Sequence, residues 1–171
     1  MRAGFEAVSN ENDKALADAG EIIRIAPADL SSYQFRAQIY AKAGDYAHAY
    51  DDETAAWKLN RKSAAVLNNR CWFGAILGRL DDALDDCDAA LNIAPNNPGF
   101  LDSRAFVRFK KGQLDRALGD YDAALKINPD LSSSLYGRGL VKQQKGDKAG
   151  GDADIAAAKG IEPGIAEHFG K

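Results

Sequence analysis

The chain has 171 residues, with 22 Lys or Arg, 25 Asp or Glu and a formal net charge of −3 at pH 7. This nearly balanced charge disfavours a nucleic-acid-binding protein, because such proteins usually carry a clear basic excess. No apolar run approaches the roughly 20 residues that a membrane-spanning helix needs, and two cysteines are too few for a disulfide framework.

Glycine and proline recur at one fixed interval along the chain. The recurrent positions are Gly44, Gly78, Gly112 and Gly146, and Pro95, Pro129 and Pro163. A constant period of this length predicts a solenoid of stacked repeats. Since glycine permits a tight turn between helices and proline ends a helix, each repeat is predicted to be a hairpin of two helices.

The first unit along the chain is incomplete. Residues 1–29 are predicted to hold a partial repeat, whose second helix spans about residues 11–25, with Asn10 at the turn in place of glycine. Only half a first helix precedes this turn, which indicates a fragment of a longer protein. Four full repeats follow at residues 30–63, 64–97, 98–131 and 132–165, and residues 166–171 are predicted to be a closing segment.

Each full repeat is predicted to contain two helices, with alanines where the helices approach each other. The helices span residues 31–43 and 46–59, 64–77 and 80–93, 98–111 and 114–127, and 132–145 and 147–161. In the last repeat Lys148, Asp152 and Lys159 replace apolar residues of the earlier repeats. A polar outer face of this kind is typical of the terminal repeat of an array.

This pattern resembles the tetratricopeptide repeat (TPR) family, whose unit has the same period. The matching residues in the third repeat are Leu101, Ala105, Gly112, Ala117, Tyr121, Ala124 and Pro129. The resemblance implies an all-α, right-handed superhelix of stacked antiparallel hairpins, with a concave groove lined by the first helices. It also implies a protein that binds other proteins and is not itself an enzyme.

One departure from the family pattern recurs in every repeat. An arginine precedes the small residue of each first helix, and an aspartate follows it at a constant sequence separation. The pairs are Arg36 and Asp52, Arg70 and Asp86, Arg104 and Asp120, Arg138 and Asp154, and, in the partial repeat, Arg2 and Asp18. Because the guanidinium fork can bind a carboxylate bidentately, we predict structural ion pairs within the hairpins. The alternative is an arginine ladder that binds an anionic ligand.

The concave face is the predicted peptide-binding surface. Its residues are Gln34, Gln38, Lys42, Asn68, Trp72, Asp102, Phe106, Phe109, Tyr136 and Leu140. Trp72, Phe106 and Leu140 share one column of the repeat, so large apolar side chains are expected on adjacent first helices, as in protein-binding surfaces. The alternative is that these side chains only seal the first helices together.

No catalytic, cofactor or metal site is predicted. His48 and His168 lie far apart in sequence, and the acidic run Asp81, Asp82, Asp85, Asp86 and Asp88 lacks the calcium-loop pattern. This run falls at the start of a helix, where acidic side chains favour the helix dipole. Cys71 and Cys87 fall on facing helices of one repeat. Two reduced, buried thiols are the favoured interpretation, and a bridge stays open.

We therefore expect a non-enzymatic scaffold for a peptide or partner protein, without nucleic-acid binding or membrane insertion. One alternative is a C-terminal interaction module of a larger bacterial protein, for instance an exported enzyme. Another is self-association through the N-terminal end, at Phe5, Val8 and Ile22. The sequence does not decide between a bacterial cytoplasmic and a periplasmic location.

Overall fold

In a computed structural model, the described residues form a stack of α-helices without strands. The backbone is described for residues 2–169, and the side chains for residues 12–167 and 169. The helices are α1 (Arg2–Ile25), α2 (Leu30–Lys42), α3 (Tyr46–Leu59), α4 (Ala64–Ile76), α5 (Leu80–Ile93), α6 (Pro98–Lys110), α7 (Leu114–Ile127), α8 (Ser132–Gln144) and α9 (Lys148–Ile161). A short C-terminal 3₁₀ helix follows at Ile165–Phe169. This architecture confirms the predicted all-α repeat fold.

Each hairpin turns through a glycine in the left-handed region. The four recurrent glycines have φ values between 72° and 94°, which residues with a side chain rarely adopt. Polar residues such as Asp29, Ser63 and Asn97 cap helices by accepting hydrogen bonds from backbone N–H groups. The bounds of the eight helices in the four full repeats differ from the predicted bounds by at most one residue. Local signals therefore set where these helices begin and end.

The N-terminal helix differs from the prediction. Helix α1 runs without interruption from Arg2 to Ile25, whereas the sequence predicts a turn at Asn10. Asparagine adopts the left-handed conformation less readily than glycine, and half a helix gains little packing by folding back. The side chains of Arg2, Phe5 and Val8 lie outside the described residues.

Small residues let the helices approach closely, both within and between hairpins. Ala49, Ala117 and Ala124 are completely buried at the hairpin contacts. Between repeats, the ring of the fully buried Tyr121 lies against Gly137. A Cβ atom at Gly137 would lie only 2.3 Å from the phenol oxygen of Tyr121. Tyr121 on α7 therefore fits only because residue 137 on α8 is a glycine.

A disulfide joins the two helices of the second repeat, which corrects the expectation of two reduced thiols. Cys71 on α4 and Cys87 on α5 are bonded, with Cα atoms 5.4 Å apart, and both are completely buried. Their separation of 16 residues is the separation that places residues on facing positions of a hairpin. The repeat geometry thus brings the sulfurs together, whereas their oxidation state is not encoded in the sequence pattern.

The C-terminal 3₁₀ helix packs on the last hairpin. Ile165 is completely buried in an apolar cluster with Leu125, Leu135 and Ala158. The outer face of α9 is polar, with Lys148 and Asp152 forming an exposed ion pair. None of the described helices is both long and apolar enough to cross a membrane.

Candidate binding groove

The first helices of the repeats lie side by side and build one face of the array. Helix α4 contacts α6, and α6 contacts α8. Trp72 on α4 packs on Phe106 on α6, with ring centroids 4.9 Å apart. Phe109 lies beside Phe106 and contacts the apolar clusters on both sides of it. The structure thus brings together the large apolar residues that the sequence assigns to the groove.

Burial divides the predicted groove residues into two groups. At the α6–α8 end, Phe106, Tyr136 and Leu140 are buried, and we call this part the closed half. Toward α2, Gln38 and Lys42 are exposed and Gln34, Asn68 and Trp72 are partly buried; we call this part the open half. Phe109 on α6 is partly buried, so the groove is most accessible to solvent in the open half.

Phe169 of the C-terminal 3₁₀ helix covers the closed half. Its ring meets Phe106 edge to face, with centroids 5.3 Å apart and an interplanar angle of 87°. It also packs on Tyr136 at 4.9 Å. Phe169 was not among the residues predicted from the sequence. The available signal was a large aromatic residue in a short segment outside the four hairpins.

Asp102 is buried beneath the groove, which corrects its assignment to the exposed binding surface. It accepts a hydrogen bond of 2.6 Å from the hydroxyl of Ser134 on α8. Burial raises the pKa of Asp102 to about 6, because the charged carboxylate loses its hydration. Through its hydrogen bond with Ser134, Asp102 links α6 to α8.

In each of the four full repeats, the recurrent arginine lies within ion-pair distance of its aspartate. The distances are 2.6 Å for Arg36–Asp52, 3.3 Å for Arg70–Asp86, 2.8 Å for Arg104–Asp120 and 2.7 Å for Arg138–Asp154. Three of the four pairs are bidentate, through Nε and Nη2 of the guanidinium. Each pair joins the two helices of one hairpin.

Two of these arginines also bind the preceding repeat. Arg104 Nη1 lies 2.8 Å from Asp88 on α5, and Arg138 Nη1 lies 3.0 Å from Asp122 on α7. These bridging carboxylates were not predicted from the sequence, although both stand 16 residues before their arginine. Because the donors of these guanidinium groups are already bound, the geometry disfavours the alternative of an arginine ladder for anions.

The second repeat uses aromatic rings where the later repeats use a bridging carboxylate. Thr54 stands one full period before Asp88, so Arg70 has a threonine at the bridging position. The guanidinium of Arg70 instead lies over Trp57, 4.5 Å from the ring centroid, and 5.6 Å from that of Tyr50. These cation–π contacts supply part of the electrostatic stabilisation that the bridging carboxylate supplies in the later repeats.

Glu53 is a buried carboxyl group between α3 and α4. It is only 1% exposed, and it accepts a hydrogen bond of 2.7 Å from Asn69. Burial raises the pKa of Glu53 to about 7, and the bond from Asn69 only partly opposes this effect. Glu53 does not face the groove, so its shifted pKa concerns stability.

Three carboxylates of the acidic run, and His48, have structural partners. Asp81 pairs with Lys111, Asp86 with Arg70 and Asp88 with Arg104. His48 is exposed, with Nδ1 2.6 Å from the capping carboxylate of Asp45. Among the described side chains, no group of three or more His, Cys, Asp or Glu is placed to hold a metal ion.

Comparison with known proteins places this fold among solved repeat proteins. The family model described as TPR repeat matches residues 107–146. No curated protein sequence matches the chain. The chain is similar in structure to PilW, described as a widely conserved type IV pilus biogenesis factor. The TM-score is 0.80 at 18% identity, covering 99% of this chain and 84% of PilW.

Two other solved structures have the same fold. MamA (residues 41 to the end) from Desulfovibrio magneticus RS-1 has a TM-score of 0.75 at 16% identity, covering 89% of this chain and 86% of that one. YrrB, described as a TPR protein with an unusual peptide-binding site, has a TM-score of 0.67 at 18% identity, covering 98% of this chain and 87% of YrrB. The family model thus identifies a TPR repeat at residues 107–146, and the chain as a whole shares the all-α repeat fold of these solved structures.

Proposed function

We propose that the chain is a non-enzymatic scaffold that binds a peptide or a segment of a partner protein in the concave groove. The observation that carries this proposal is the contrast between columns of the repeat. The arginine and aspartate columns keep the same residue types, whereas one groove column reads Gln38, Trp72, Phe106 and Leu140. Stacking repeats the same contacts in each unit, so a face whose residues change from repeat to repeat is suited to a ligand that does not repeat.

The open half offers the chemistry of a peptide site. Trp72 supplies a partly buried aromatic surface, and aromatic residues are common anchors of protein interfaces. The amides of Gln34 and Gln38 can donate to and accept from a peptide backbone. Lys42 adds a single exposed ammonium group, which suits a segment with an acidic side chain rather than a polyanion.

Selection from a library of displayed peptides tests the proposal. Peptides that bind the wild-type chain are labelled, and their dissociation constants are measured by fluorescence anisotropy. We expect Trp72→Ala to weaken binding by roughly 30-fold or more, as for an interface hot spot. Gln38→Arg, at an exposed position, should weaken it without affecting folding.

Ile93→Ala is the matched control, because Ile93 is exposed on α5. Circular dichroism checks that each variant is folded. If Ile93→Ala removes binding while both groove variants retain it, the binding surface lies along the second helices and the proposal is wrong.

A second candidate function is self-association through the N-terminal end. Ile22 on α1 and Phe35 on α2 are 46% and 49% exposed, and Ile25 is exposed as well. An apolar surface at the open end of a repeat array can stack on another copy. Static light scattering should then give a mass that rises with concentration for the wild type and stays monomeric for Ile22→Glu. Monomeric wild-type protein at every concentration would contradict this candidate.

The disulfide supports a location in an oxidising compartment, for which we propose the bacterial periplasm. Structural disulfides persist outside the cytoplasm and are rare within it. This location also fits the alternative that the array is a module of a larger exported protein. Acid quenching of cells followed by alkylation and mass spectrometry measures the state of Cys71 and Cys87. Two alkylated cysteines in the native protein would contradict the proposed location.

A further inference from the structure

We infer that the rings of Phe106 and Tyr136 form a recognition subsite for an aromatic side chain of the partner, and that Phe169 fills this subsite until a partner segment displaces it. We call the space between these two rings the aromatic slot. The inference rests on the proposed function of the groove and specifies what the partner must present there.

The geometry of the slot matches an aromatic ring. Phe106 belongs to α6 and Tyr136 to α8, so the slot lies between the first helices of two successive repeats. The ring of Phe169 stands edge to face on Phe106 and tilted on Tyr136, at centroid distances of 5.3 and 4.9 Å. These are the preferred arrangements of aromatic pairs, which add to the gain from apolar burial.

The slot is continuous with the open half of the groove. Trp72 packs on the other side of Phe106 at 4.9 Å, and Phe169 contacts the same apolar cluster as Trp72. A segment lying along the open half therefore reaches the slot across the contact between Trp72 and Phe106. Lys110, 5.3 Å from the Phe106 ring centroid, lies at the edge of this path and donates to the carbonyl of Ala75.

The place of Phe169 is set by the slot and not by the repeat. Leu101 and Leu135 stand one period apart in one column, and both are buried at hairpin contacts. Phe169 stands one further period after Leu135, yet its ring lies in the groove. Phe169 therefore occupies the groove of its own chain in the way that an apolar residue of a bound partner would.

Phe169 can leave the slot while the last hairpin stays folded. The completely buried Ile165 anchors the start of the 3₁₀ helix on the last hairpin, and Ala158 lies in the same cluster. Phe169 itself remains partly exposed, and Glu167 before it is exposed. Its withdrawal uncovers two aromatic rings beside Trp72, so an incoming aromatic side chain replaces contacts that the chain already makes with itself.

The experiment uses Trp72 as the reporter. The chain has two tryptophans, Trp57 and Trp72, so all proteins carry Trp57→Phe. Phe169→Ala is compared with Ile127→Ala, which removes an exposed apolar side chain on α7, outside the groove. We expect Phe169→Ala alone to shift the Trp72 emission to longer wavelength and to increase its quenching by acrylamide.

The probe is the synthetic peptide GIAEHFGK, which has the sequence of residues 164–171. Added to the Phe169→Ala protein, it should reverse the emission shift in a saturable titration. The peptide GIAEHAGK should bind roughly 10- to 100-fold more weakly, since one aromatic side chain is no longer buried. Groove-binding peptides selected from the display library should bind the Phe169→Ala protein more tightly than the wild type.

Several results would overturn the inference. An unchanged Trp72 signal in Phe169→Ala would mean that Phe169 does not occupy the slot. If Trp72 becomes more exposed in Phe169→Ala but the two synthetic peptides bind with equal affinity, Phe169 only covers the packed first helices and the slot does not recognise aromatic side chains. A wild-type dimer that Phe169→Ala converts to monomers would assign the slot to a second copy. The fluorescence comparison needs no partner, so it remains decisive even if the display selection fails.

Discussion

Replacing Arg104 by leucine should destabilise the array strongly, because this residue joins three helices. Its guanidinium donates to Asp120 at 2.9 and 2.8 Å and to Asp88 at 2.8 Å. The side chains of Arg104 and Asp120 are only 19% and 8% exposed. Breaking a buried pair costs roughly 3–5 kcal/mol, whereas the half-exposed Asp88 contributes about 0.2–1 kcal/mol.

Arg108 reduces the loss. Its Nη1 lies 2.7 Å from Asp120, so this carboxylate keeps one cationic partner in the variant. We therefore expect Arg104→Leu to lower the free energy of unfolding by about 2–4 kcal/mol, a large part of the stability of a typical domain. In the cycle of Arg104→Leu, Asp120→Leu and the double variant, the coupling energy should be about 1–3 kcal/mol.

The assay is urea denaturation followed by circular dichroism, with free energies from the linear extrapolation. The matched control is Arg24→Leu, because Arg24 binds Glu21 through the same two nitrogens at 2.8 and 2.6 Å, but on the surface. Its side chain is 72% exposed, so no measurable loss is expected. Additive single losses, or an Arg104→Leu variant as stable as Arg24→Leu, would refute the reasoning.

Three further predictions concern stability. Burial holds the pKa of Glu53 at about 7, above the ordinary 4.5, so the stability of the wild type should fall as the pH rises from 4.5 to 7. Glu53→Gln should show a smaller fall, because Asp102, whose pKa burial raises to about 6, still contributes to it, and should be more stable at pH 8 by up to about 3 kcal/mol in urea titrations; an unchanged pH dependence would contradict the assignment. Gly137→Ala should lower the melting temperature, whereas Gly119→Ala, with open space around its Cβ, should raise stability by about 0.5–1 kcal/mol; equal effects would contradict the packing argument. Replacing both cysteines by alanine should cost about 3 kcal/mol for a loop of this length, and dithiothreitol should destabilise the wild type but not this variant.

Much of the hairpin architecture could be predicted from the chain alone. Each turn needs a glycine at a positive φ, and the period of these glycines locates the helices. Arg104 and Asp120 are 16 residues apart and face each other because the second helix of the hairpin runs back antiparallel to the first. Such contacts depend on local geometry, which repeats with the sequence.

Contacts between hairpins were harder to predict. Asp88 reaches Arg104 because the second helix of one repeat lies against the first helix of the next. Which side chains meet there depends on the rotation between successive repeats, which the period does not contain. The burial of Asp102 has the same origin, since its partner Ser134 lies one repeat further along.

The groove shows which features follow from the sequence and which follow only from the tertiary structure. The sequence alone determined that Trp72, Phe106 and Leu140 share one column of first helices, because a column follows from the period. Only the tertiary structure decided that Phe169 covers the closed half and leaves the open half exposed. It also decided that α1 continues through Asn10 and that Cys71 and Cys87 are bonded. The physical reason is that residues at periodic positions make the same kind of contact in each repeat, so the period predicts these contacts. The packing of α1 and of Phe169, and the oxidation of the cysteines, do not recur with the period and cannot be predicted from it.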